Sequence, residues 1–187
     1  MIDASMRLSH ADSAYSPVND ALYRTAMSWA QLVDEVRVCE KNRGRFHPYS
    51  DMMSFDIGAY RQIGVKSFVL ETPLSDASAM EIWTSLRMIY FGGGNADALR
   101  AYYCDKVYGE GGRYIYQFYA KLRECYYRAG LDAAFEIPER NELVRRVKAA
   151  GLAKELTDCL EMAVKHSSSD GLASARRLLT VWQSELN

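Results

Sequence analysis

Proline is scarce in this chain, with four residues in 187, so long stretches are free to run as helix. No apolar run approaches the ~18 residues that a membrane-crossing helix needs. The opening MIDASMRLSHADSAYS lacks the basic start and apolar core of a secretory signal. A protein off the membrane, with a cytoplasmic location, is the resulting expectation. Charge of one sign is also missing: 23 Lys and Arg stand against 24 Asp and Glu, a formal net charge of -1, which excludes a strongly polybasic nucleic-acid binder. The four cysteines Cys39, Cys104, Cys125 and Cys159 stand far apart. They offer no close pair for zinc and no framework of bridges, and read as reduced apolar side chains.

Catalytic signatures are absent as well. There is no HExxH, no GxSxG and no phosphate-binding loop, and neither Gly92-Gly93-Gly94 nor GEGG at 109–112 has the order of a dinucleotide fingerprint. Those glycines read as helix breaks. The carboxylate pairs Glu139/Glu142 and Glu155/Asp158 read as solvated helix faces. No metal and no organic cofactor is implied.

What is present is helical periodicity. Leu22, Ala26, Trp29, Val33 and Val36 alternate spacings of four and three, which predicts an amphipathic helix over about 17–40 after the Ser16-Pro17 start. Residues 51–63 can form a short helix. Met80, Trp83, Leu86, Ile89 and Tyr90 predict a helix that starts at Thr72-Pro73 or Ser75-Asp76 and stops at the triple glycine. Asn95 caps a helix carrying Leu99, Tyr102, Tyr103 and Val107. Ile115, Tyr119, Leu122 and Tyr126 mark a long helix from Arg113 to Ala129, with Gly130 as its stop. Pro138 begins another that ends at Gly151, and two more follow through Leu156 and Leu160, then Ala175, Leu179 and Trp182. VKSFVLE at 65–71 is rich in β-branched and aromatic residues. A lone strand cannot satisfy its own edges, so it reads as a buried connector or a ribbon partner.

The predicted fold is therefore all-α: a compact multi-helix bundle of about seven or eight helices with irregular connections. Residues 1–15 form a flexible N-terminal arm, and 16–187 a single helical domain.

The compositional oddity is aromatic. There are thirteen tyrosines, and eight crowd residues 102–127. Tyr119 and Tyr126 share a stripe with Ile115 and Leu122 and belong to the core, whereas Tyr116, Arg123 and Tyr127 lie on a second face and are the candidate partner-binding residues. The expected function is a non-enzymatic helical interaction or regulatory protein that binds a protein partner or self-associates through this tyrosine-rich surface. One alternative is a nucleic-acid-binding regulator of transcriptional or plasmid/phage type, with Arg140, Arg145, Arg146 and Lys148 as the contacts. The other is a small helical enzyme whose site is assembled from distant residues, for which Arg43, Arg45 and His47 are the only local cluster.

Overall fold

VRVCEK is extended rather than helical, and its start alternates buried and exposed before Val38, Cys39 and Glu40 run buried together. Val36 and Val38 are buried while Arg37 between them is exposed, the two-residue period of a strand. In the computed structural model, which describes residues 2–3, 17, 19–41, 45–71, 73–130 and 142–187, the predicted helix 17–40 is thus two elements. Helix α1 (Asp20–Leu32) ends at the extended Val33, and strand β2 (Val36–Lys41) follows.

Strand β1 (Ile2–Asp3) lies parallel on one side of β2, with Ile2 opposite Val38 and Asp3 opposite Cys39. On the other side β3 (Val65–Glu71) is also parallel, pairing Val36 with Val65 and Cys39 with Val69 after a bulge at Val36/Arg37. The connector expected at 65–71 is therefore the third strand of a β1-β2-β3 sheet. Its partner had been hidden inside the over-long helix. Parallel neighbours need a crossover, and α2 (Tyr49–Gln62) provides it between β2 and β3. Tyr60 of α2 packs with Ala26, Val36, Val38 and Val65, while Met53 and Ile57 pack against Phe68 and Leu70. Ile2 and Asp3 fall within the segment read as an arm, and residues 4–16 lie outside the described residues.

The rest of the described chain is helical: α3 (Asp76–Phe91), α4 (Ala96–Tyr108), a short 3-10 turn (Gly109–Gly111), α5 (Gly112–Arg128), α6 (Glu142–Ala149), α7 (Ala153–His166) and α8 (Ser169–Leu186). Together α2 to α8 make an all-α bundle of seven helices with irregular crossings. The punctuation follows the sequence. Ser75 and Ser78 form a reciprocal capping box on α3, Gly92 closes that helix in the left-handed region, and the Asn95 side chain accepts from Ala98 N–H at 3.1 Å. The Pro138 helix start lies outside the described residues.

The core is centred on α5. Ile115, Tyr119, Leu122 and Tyr126 are all buried, as their spacing predicts. Trp182 of α8 packs edge-on to Phe118 and Phe46, with ring centroids 5.2 and 5.5 Å away. Gly112 has a role beyond punctuation. It sits in ordinary helical geometry, but a Cβ there would lie 2.3 Å from the Cys104 carbonyl oxygen, so its missing side chain lets α5 approach α4.

Candidate functional site

The α4 sequence places an arginine on a buried face. Ala96, Arg100, Cys104 and Tyr108 recur every four residues and are all buried, so α4 buries this stripe deepest, while Leu99, Tyr103 and Val107 of the expected stripe pack partly buried beside it and Tyr102 is exposed. Arg100 is 1% exposed. Its guanidinium has five N–H groups, and five acceptors surround them. Nε donates to Glu81 Oε1 at 2.8 Å, and Nη2 donates to Glu81 Oε2 at 3.2 Å and to Ser50 Oγ at 2.7 Å. Nη1 lies 2.8 Å from Asp51 Oδ1 and 3.2 Å from Asp97 Oδ1. Glu81 also accepts from the Ser50 N–H and hydroxyl. Burial works against the Arg100 charge, but Glu81 and Asp51 outweigh it and hold the group protonated well above its usual range.

Arg123 and Tyr127 of α5 complete this centre. Arg123 Nε and the Tyr127 hydroxyl both donate to Asp51 Oδ2, at 2.9 and 2.8 Å, and Arg123 Nη1 donates to Asp97. Four helices, α2 to α5, are tied at one point. Because the Arg100 donors and both Asp51 oxygens are used within the chain, the centre holds elements together rather than presenting a reactive group.

Of the three residues expected on one face of α5, Arg123 and Tyr127 reach Asp51 of α2, and Arg123 also reaches Asp97 of α4. Tyr116 lines an open groove of about 790 Å³ with Ala101, Asp105, Glu110 and Arg113. His47 Nε2 lies 3.1 Å from the Tyr126 hydroxyl, one helical turn before Asp51 in the sequence, so the loop of the proposed enzyme cluster abuts the same end of α5. Arg45 pairs instead with Glu185 of α8 at 2.9 Å. Arg43 lies outside the described residues. On α6, Arg145 and Arg146 both pair with Glu142, Lys148 is exposed, and Arg140 lies outside the described residues.

Among the described residues no group of three or more His, Cys, Asp or Glu could hold a metal ion, and no helix is long and apolar enough to cross a membrane. All four cysteines are free thiols. Burial pushes the Cys104 thiol up to about 12, and burial likewise raises the phenols of Tyr108 and Tyr119. In the fold these groups keep their protons at pH values where the unfolded chain has lost them. The unfolded state then binds fewer protons, so stability is complete below about pH 8 and falls as pH rises, by up to ~1.4 kcal/mol per pH unit for each group. Urea midpoints measured at about pH 7.5 and about pH 10.5 should show a clear drop at the higher pH. Equal midpoints would contradict the assignment.

The exposed counterpart of the polar centre lies on the outer side of α3 and α4. Because α3 buries Ala77, Glu81, Thr84, Ser85 and Met88, its large residues Leu86, Tyr90 and Phe91 face solvent, 51–79% exposed. Trp83 stacks on Tyr102 at 6.0 Å with an interplanar angle of 15°. The Arg87 guanidinium sits over Trp83 and over Phe91, 5.5 and 4.6 Å from the ring centroids, and the Lys106 ammonium lies 5.5 Å from that of Tyr102. Tyr90 meets Phe91 edge to face at 5.0 Å. A continuous strip results, running Phe91, Arg87, Trp83, Tyr102, Lys106. The apolar spacing of Met80, Trp83, Leu86, Ile89 and Tyr90 predicts the helix but not this exposed strip; the signal that could have found it is the polar stripe Glu81, Thr84, Ser85, which has Arg100 as its buried counterpart. Comparison with protein-family models, with curated proteins and with solved structures finds no match to this chain.

Proposed function

We propose that this chain is a non-enzymatic helical interaction protein that self-associates through the aromatic surface of α3 and α4. The observation that carries the reading is the contiguous exposure of Leu86, Tyr90, Phe91 and Tyr102 around the Arg87–Trp83 stack. Isolated exposed apolar residues are ordinary, but adjoining aromatics with arginine are the composition of interface centres. Tyrosine and tryptophan offer wide rigid contact area for few rotatable bonds. Helix α5, which carries Tyr116, Arg123 and Tyr127, packs against α4, and Arg123 and Tyr127 are anchored on Asp51.

Sedimentation velocity from about 1 to about 100 μM spans the range in which an interface of modest affinity titrates. The expected result is a concentration-dependent dimer. The paired substitution Tyr90→Ser with Phe91→Ser should weaken it about tenfold or more, because it removes exposed rings that a partner would bury. Tyr116→Ala should weaken it less. A monomer throughout the range, or a dimer indifferent to the Tyr90/Phe91 pair, would remove this reading.

A further inference from the structure

We infer that the partner seated on the α3–α4 strip is a second copy of this chain, docked about a two-fold axis so that Arg87 of each copy meets Asp105 of the other. The inference rests on the self-association reading and adds its register. The Arg87 guanidinium carbon lies 5.5 Å from the Trp83 ring centroid and 4.6 Å from that of Phe91, and among the described residues no carboxylate pairs with it. Its N–H fork is shaped for a bidentate acid.

In a two-fold interface the same patch serves both copies, so the acid must come from α3 or α4 itself. These helices carry four carboxylates, and three are engaged: Asp76 with Arg177, Glu81 with Arg100, and Asp97 with Arg100 and Arg123. Among the described residues Asp105 pairs only with its exposed neighbour Lys106 at 3.3 Å, a surface pair of little strength that leaves the carboxylate available. The strip is moreover directional. Arg87 lies towards its α3 end, and Asp105, which also lines the groove with Tyr116, stands beside Lys106 at its α4 edge. An axis through the Trp83–Tyr102 stack lays α3 of one copy over α4 of the other and brings each cation to the opposite acid. A nucleic acid would meet two cations here but also the Asp105 carboxylate.

The test is a charge exchange between copies, with wild type measured first. Chains carrying Arg87→Glu, and separately Asp105→Arg, place like charges at both contacts of their own dimers. Each should dimerise about tenfold more weakly than wild type, or worse. Mixed in equal amounts they restore both opposite-charge contacts, so a heterodimer approaching wild-type affinity is expected. Both positions are exposed, and unchanged urea midpoints would show that folding is intact. A mixture no better than its components, or single variants that dimerise like wild type, overturns the register while leaving self-association standing. A monomeric wild type overturns both. Loss of the dimer on adding a single-stranded oligonucleotide would point to nucleic acid as the occupant and overturn the inference as well.

Discussion

Arg100→Ala should cost about 3–5 kcal/mol of folding stability, the range for removing one partner from a buried ion pair. The guanidinium serves Glu81, Asp51, Asp97 and Ser50 at once. Alanine there would leave the Glu81 carboxylate, itself 1% exposed, without its counter-charge. Against a typical total of about 5–15 kcal/mol, such a loss would remove a large share of the folding stability. Urea unfolding of the single variants and of Arg100→Ala with Glu81→Ala should show strong coupling. The double variant should lose much less than the sum of the singles, because removing both takes away the orphaned charge. Additive losses would mean that the pair contributes little, and the centre would then be incidental to the fold.

Trp182→Ala should have a comparable effect, about 3–5 kcal/mol, through lost contacts and the cavity left behind. Trp182 is fully buried among Phe46 and Phe118, and its indole N–H donates to Thr157 Oγ1 at 3.0 Å. The ring thereby joins α8 to α5, α7 and the loop before α2. Trp182→Phe keeps most of the apolar contact but forfeits the hydrogen bond, so its loss should be nearer 1–2 kcal/mol. Thermal and urea unfolding would rank the two. Similar losses for both variants would assign the role of Trp182 to its hydrogen bond rather than to packing.

Helix boundaries were largely legible because they are local. A serine pair, an asparagine and a glycine state where α3 and α4 begin and end, and each acts within one turn. The α5 core face was equally plain, since Ile115, Tyr119, Leu122 and Tyr126 leave no competing apolar stripe. On α3 two stripes compete. The greasier one, with Leu86 and Tyr90, lost to the one bearing Glu81, because Arg100 and Ser50, distant in sequence, satisfy that carboxylate inside. Burial of Arg100 was likewise invisible without the acids that neutralise it.

The candidate site divides the same way. Arg123 and Tyr127 could be placed on one flank of α5 by spacing, but their meeting at Asp51 joins residues more than 70 positions apart. The sheet was missed for a related reason: Val36–Lys41 fits a helical spacing as well as an extended one until β1 and β3 supply its hydrogen bonds.

Composition, periodicity and capping residues thus settle a mainly helical chain, where most of its helices begin and end, and the core stripe of α5, because these depend on neighbours within a turn or two. The parallel sheet, the buried Arg100 centre and the aromatic strip left facing solvent depend on partners brought from elsewhere in the chain. A strand has no stability without another beside it, a buried charge none without its counter-charge, and a helix with two usable faces turns whichever one the rest of the fold can satisfy.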